Sequence, residues 1–166
     1  MELPSAGYFY ALAALSMAFV GFTSIVVVLH QGSGKPLSPF HVLITKLFIE
    51  LGLMATAFAM VAPTLAISGI GEISVWRISS GIMLVVLVPW LVTYPFRRKA
   101  AVPGQKWPLR GYVLNFLGML AVFGLSMNAI GSPFIPNPGP IAFATVFVLS
   151  YASVSFFWTY ALFLRD

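Results

Sequence analysis

Apolar residues fill five long stretches of this chain, and most polar and charged residues collect between them. Each stretch is long enough to cross the hydrocarbon core of a bilayer, which takes roughly 20 helical residues. The pattern therefore predicts an all-α transmembrane bundle of five helices, with residues 1–166 forming a single transmembrane domain. The predicted spans are Tyr8–Leu29, Val42–Ile67, Ile78–Phe96, Gly111–Ile130 and Ile141–Leu164.

Composition narrows the class of protein. Hydrophobic residues make up 60% of the chain and charged residues 8%. Soluble domains are typically about 45–50% apolar and about 25% charged, so this composition excludes a soluble domain or a disordered tail. The net charge of +5 is typical of membrane topology, and we expect the bilayer rather than nucleic acid as the partner. The chain has no cysteine, which excludes disulfides and thiolate metal sites.

Basic residues set the predicted orientation. Cations collect in the cytoplasmic loops of membrane proteins. Placing the link between the third and fourth spans in the cytoplasm also puts Lys35 and Arg165 there, and it leaves Arg77 outside. We therefore predict an external N-terminus and a cytoplasmic C-terminus. The basic residues of that link are Arg97, Arg98, Lys99, Lys106 and Arg110.

Two ionisable residues interrupt the second span. Lys46 and Glu50 are four residues apart and so lie on one helix face. Glu50 is about 12 Å along the axis from Val42 at 1.5 Å per residue. A charge at that depth costs at least about 2.5–3.5 kcal/mol, so it should face protein or water. Glu50 is a candidate proton- or cation-binding carboxylate in a pathway. The alternatives are an internal pair with Lys46, or a protonated Glu50 bonded to a neighbouring helix.

Other polar residues of the spans have two interpretations each. Arg77 and Glu72 either guard an outer vestibule or form an interfacial anchor with an ion pair in the loop. A second group of side chains either forms a polar path or joins helices by hydrogen bonds, each worth about 0.6 kcal/mol. That group is Asn115, Asn128, Ser155 and Thr159.

Residues suited to cofactors or catalysis are few. His30 and His41 lie near the cytoplasmic ends of the first two spans, where they could supply two axial haem ligands or half a metal site. No Cys, Asp or Glu flanks them at ligand spacing, so they are otherwise two interfacial histidines, and we expect no cofactor. The sequence has no GxSxG, HExxH, Walker or Rossmann motif, so we do not expect an enzyme.

Small residues recur at helical spacing in the first span. They lie at intervals of three and four residues, which places them along one face. Close backbone approach through such faces holds helices together in lipid. The pattern supports a homo-oligomer or a larger membrane complex. The residues are Ala11, Ala14, Ala18 and Gly21.

Three short stretches resemble uncharacterised small multi-pass inner-membrane proteins of proteobacteria. They are Phe19-Val-Gly-Phe22, Phe48-Ile-Glu-Leu-Gly52 and Val75-Trp-Arg-Ile-Ser-Ser80, and the resemblance extends over about the first half of the chain. The resemblance implies a bacterial inner (cytoplasmic) membrane location and brings neither an activity nor site residues.

Three functions fit these patterns. The first is a small oligomeric channel or transporter for protons, ions or small solutes, with Glu50 in the pathway. The second is a non-catalytic accessory or assembly subunit of a larger membrane complex. The third is a haem or metal protein that uses His30 and His41. The sequence leaves the permeant species, the partner and the oligomeric state open.

Overall fold

The computed structural model describes the backbone of residues 3, 5–32, 39–104 and 108–163, and the side chains of residues 3, 5–29, 42–104, 108–109 and 111–158. Over these residues the chain forms five α-helices, each long and apolar enough to cross a membrane. The all-α, five-helix transmembrane class is therefore confirmed, and the chain is a multi-pass membrane protein. The helices are α1 (Ala6–Gly32), α2 (Pro39–Ile67), α3 (Glu72–Ala101), α4 (Leu109–Ile130) and α5 (Gly139–Phe163).

Helix α3 is longer at both ends than the predicted span of residues 78–96. The apolar pattern placed Glu72 in a loop, whereas the structure makes it the first residue of the helix. A carboxylate in the first turn is favourable because the N-terminal end of a helix carries partial positive charge. Arg98 and Lys99 lie in the last turn, where the opposite partial charge favours cations.

Four helices pack in a ring and the fifth lies outside it. Each of α2, α3, α4 and α5 contacts the next, and α5 closes the ring on α2. Helix α1 packs against the outside of α2 and touches α5 more lightly. We call the end of the bundle at which α2 begins and α3 ends the basic end, and we call the other the opposite end.

Apolar side chains fill the middle of the ring. Side chains from all four helices are at most 2% exposed there, so the interior of the ring is filled. In lipid such packing, rather than a hydrophobic force between helices, holds the bundle together. The filling residues include Leu51, Phe58, Met83, Leu87, Leu125, Ile141 and Val148.

Two glycines allow helices to approach closely. A Cβ at Gly52 of α2 would overlap the Val20 side chain of α1. A Cβ at Gly118 of α4 would lie 2.9 Å from a Leu91 methyl group and 3.2 Å from the Phe147 ring. Each contact therefore depends on the absence of a side chain, as is common between membrane helices.

Candidate functional site

The centre of the candidate site is an ion pair between α2 and α3. Arg97 donates from Nη1 to Glu50 Oε2 at 2.9 Å and from Nη2 to Oε1 at 3.1 Å. This bidentate arrangement matches the planar guanidinium to the planar carboxylate and is the strongest geometry for such a pair. Each side chain is 30% exposed, so the pair lies at the surface of the bundle rather than in its core.

The second cation beside Glu50 is Lys46. Its Nζ lies 3.7 Å from Glu50 Oε1, one helical turn away, and its side chain is 66% exposed. The sequence suggested Lys46 as the internal partner, but the structure gives Glu50 its two short hydrogen bonds from Arg97. Glu50 is thus bonded to a neighbouring helix as an ion pair, and Lys46 makes the longer contact.

The depth of the pair follows from the lengths of the two helices. Glu50 lies about 16 Å along the axis from Pro39, at 1.5 Å per residue. Arg97 lies about 6 Å before Ala101, where α3 ends, and helical side chains lean back toward the N-terminus. The Arg97 side chain therefore reaches from near the basic end toward the carboxylate. Sequence reasoning assigned Arg97 only to the cytoplasmic basic cluster and missed this contact.

An aromatic layer lies beside the ion pair. Trp90 and Tyr94 of α3 stack with ring centroids 5.4 Å apart, and Tyr151 of α5 meets them edge-on at 5.6 and 6.1 Å. All three side chains are buried, so the layer fixes α3 against α5 one turn from Arg97.

Arg77 and Glu72 lie at the opposite end of the bundle. Arg77 donates to the carbonyl oxygens of Ala129 and Ile130, both at 3.1 Å, and so caps the last turn of α4. Glu72 accepts from Trp76 Nε1 at 3.2 Å within its own helix. Arg77 and Glu72 thus bond to other groups and not to each other, so the ion pair between them is not formed, and the interfacial anchor stays a prediction. Their role at an outer vestibule stays a prediction.

Asn128 is the centre of a hydrogen-bond network at the same end. It is 4% exposed, and its Nδ2 donates to Ser80 Oγ at 2.9 Å and to the Asn137 carbonyl at 3.1 Å. Its Oδ1 accepts from the Asn137 backbone N–H at 2.9 Å. These bonds join α4 to α3 and to the loop before α5. Asn128 therefore holds helices together, as one of its two interpretations predicted.

The other members of the predicted polar path are not brought to Asn128. Asn115 is half-buried near the start of α4 and makes no side-chain hydrogen bond within the described part of the chain. Ser155 is buried in α5 at 5% exposure. Apolar side chains fill the ring between the two ends, and the polar path stays a prediction.

Three candidate side chains lie outside the described residues, namely His30, His41 and Thr159. The haem or metal interpretation of the histidines is therefore neither supported nor opposed by the fold. Over residues whose side chains the structure describes, no group of three His, Cys, Asp or Glu could hold a metal ion.

A groove lies between α1 and α5, where these two helices touch only lightly. It has a volume of about 420 Å³ and is almost wholly apolar. Phe156 lines it and meets the rings of Phe19 and Phe22 edge-on, with centroids 5.9 and 5.8 Å away. Its lining residues are Phe19, Phe22, Val26, Ser153, Phe156 and Phe157.

Comparison of the chain with protein-family models, with curated proteins and with solved structures finds no match. The resemblance to inner-membrane proteins of proteobacteria stays a prediction. The chain forms a packed ring of helices with a partly exposed ion pair on one side.

Proposed function

We propose that this protein is a non-catalytic membrane subunit that works within an assembly, either of several copies or with a larger membrane complex. The observation that carries the proposal is the exposed position of Glu50 and Arg97. Each is 30% exposed on the outside of a bundle whose core is apolar. Charged groups in a membrane are favoured next to protein or water rather than lipid tails. A neighbouring protein that covers the pair removes this cost.

The outward face of α1 supports the same proposal. Ala11, Ala14, Ala18 and Gly21 were predicted to mediate helix packing, and all four point away from the rest of the bundle. Helix α1 meets α2 instead through its other side, with Val20 against Gly52. A small-residue face that the bundle does not use is available for another membrane helix.

The packed ring favours a subunit over a pore within one chain. Side chains from four helices fill its middle, including Leu51, Met83 and Leu125, each completely buried. This filling lies between the ion pair near the basic end and the Asn128 network at the opposite end. An enclosed path along the axis of one copy would require that core to open, with loss of its packing contacts.

Purification in a mild detergent followed by native mass measurement tests the proposal. We expect a homo-oligomer or a hetero-complex of fixed stoichiometry. Ala18→Leu adds bulk to the outward face of α1 and should reduce the assembled fraction. Ala100→Leu makes the same change at an exposed position in the last turn of α3 and serves as the matched control. A homogeneous monomer, or an assembly that neither variant changes, would contradict this role for α1.

An oligomeric channel or transporter is the second candidate, because Glu50 is partly exposed and an intramembrane carboxylate is a common ion or proton site. The packed ring would place such a pathway between copies. Glu50→Gln in proteoliposomes should then change proton or cation flux or its pH dependence. Lys99→Gln, on the exposed last turn of α3, is the control. Wild-type protein without any flux would count against this candidate.

A further inference from the structure

Lys46 is the second cation beside Glu50, whose carboxylate is already paired with Arg97. Arg97 already donates to both oxygens of Glu50 at 2.9 and 3.1 Å. The Lys46 ammonium stands 3.7 Å from one of the same oxygens and its side chain is 66% exposed. Two cations therefore share one carboxylate, and the charges alternate from Arg97 through Glu50 to Lys46. Lys46 is the positive end of this series and is largely exposed, so the next group that it attracts is an anion.

The position of Lys46 selects the kind of anion. Lys46 lies about 10 Å along the axis from Pro39 and about 6 Å closer to the basic end than Glu50. A lysine stem of this length carries its ammonium toward the membrane interface. The phosphates of membrane lipids are the anions concentrated at that level. Arg98 and Lys99 lie at the same end of the bundle and add positive potential.

The surface around Lys46 suits a lipid as well as its phosphate. Val42 and Leu53 lie one turn before and two turns after Lys46 on the same face of α2. They are 51% and 47% exposed, and both are apolar. An acyl chain can follow this strip while its headgroup contacts the ammonium. In the described residues near the basic end, Glu50 is the one acidic side chain, and Arg97 already neutralises it.

We propose that Lys46, whose ammonium lies 3.7 Å from a Glu50 oxygen, binds the headgroup of an anionic phospholipid at the α2–α3 side of the bundle, at the edge of the surface that the proposed neighbour covers. The bound lipid would complete the alternating series of charges. A basic side chain close to an anionic membrane surface favours binding by a factor of about five. Lys46 should therefore account for a preference of about that size for an anionic over a zwitterionic lipid.

Lipid competition on the whole purified protein tests this inference. The protein is incubated with equal amounts of phosphatidylglycerol and phosphatidylcholine, and the lipids that remain bound are counted by native mass spectrometry. We expect wild-type protein to prefer phosphatidylglycerol and Lys46→Gln to lower that preference roughly fivefold. Lys46→Arg keeps the charge and should retain it. Lys99→Gln removes an exposed cation from the same end and should lower the preference less than Lys46→Gln does.

Four results would overturn the proposal. The first is a wild-type protein without lipid preference, and the second is a Lys46→Gln variant with the wild-type preference. The third is an equal loss in Lys99→Gln, which would mean attraction by the whole basic end rather than binding at Lys46. Millimolar inorganic phosphate should leave phosphatidylglycerol bound, because the apolar strip contributes. Displacement by phosphate alone would likewise contradict a lipid site.

Discussion

Arg97 and Glu50, on neighbouring helices and 47 positions apart, form a bidentate ion pair with bonds of 2.9 and 3.1 Å. The pair links α2 to the last turns of α3 at a point where each side chain is 30% exposed. Removing Glu50 leaves Arg97 without its partner, and removing Arg97 leaves Glu50 with only the longer contact to Lys46. Removing one member of such a pair is therefore more destabilising than replacing both members with apolar residues.

Glu50→Gln and Arg97→Gln should each lower the free energy of unfolding by about 1–3 kcal/mol. The range lies below that of a fully buried pair because each side chain is 30% exposed. The double variant should cost less than the sum of the two, with a coupling of about 1 kcal/mol or more. Denaturant-induced unfolding in micelles measures all three. Additive losses would show that the two groups do not interact.

Lys46 provides the internal control for that cycle. Its contact with Glu50 is 3.7 Å long and two-thirds of its side chain is exposed. Exposed helical pairs of this spacing contribute about 0.3–0.5 kcal/mol. Lys46→Gln should therefore leave the unfolding midpoint almost unchanged. A loss as large as that of Arg97→Gln would mean that Lys46 is the main partner.

Much of the fold follows from local sequence. The limits of the apolar stretch Val42–Ile67 lie within the bounds of α2, and those of Gly111–Ile130 lie within α4. Hydropathy works here because each helix must satisfy its own backbone hydrogen bonds in lipid. It fails at the ends of α3, since Glu72 and Lys99 are polar residues that favour helix termini. A span defined only by its apolar residues therefore stops short of Glu72 and Lys99.

The site follows less readily, because its main contact is not local. The pairing of Lys46 with Glu50 is visible as a spacing of four residues. The pairing of Glu50 with Arg97 requires knowing that α3 packs beside α2 and which face it presents. The same holds for Asn128 and Ser80, 48 positions apart. The available signal was a carboxylate in one span and a basic run at the matching end of the next.

Asn128 should be the most sensitive polar position at the opposite end. Asn128→Leu removes the partners of Ser80 and of the Asn137 backbone, and it adds bulk at a site with 4% exposure. Leaving buried polar groups unpaired costs about 1–3 kcal/mol each, so we expect a loss of about 2–4 kcal/mol in unfolding free energy. Asn115→Leu, at a half-buried position of the same helix, should cost under about 1 kcal/mol. Equal losses would contradict the network's role.

Gly52 should not tolerate even the smallest side chain in place of its hydrogen. Gly52→Ala places a methyl group against Val20 at the contact of α2 with α1. Overpacking of this kind typically costs about 1–3 kcal/mol. Gly81→Ala in α3 is the matched control, because no heavy atom lies within 4 Å of the added carbon. Alanine there should be neutral or slightly stabilising, since it favours helix over glycine. Thermal unfolding of both variants decides, and a stable Gly52→Ala protein would mean that α1 shifts freely on α2.

Arg77 should control the stability of the last turn of α4 rather than that of the whole bundle. Its two bonds to Ala129 and Ile130 satisfy carbonyl groups that have no partner within the helix. Arg77→Gln should therefore raise amide exchange rates around Met127–Gly131, with a cost of about 1 kcal/mol at this exposed site. Arg77→Lys keeps the charge but loses the planar fork, so it should restore protection only in part. Exchange measured by mass spectrometry would reveal this local effect, and protection near Leu125 should stay as in the wild type. Unchanged exchange at the end of α4 in Arg77→Gln would show that the helix end is stable without the cap.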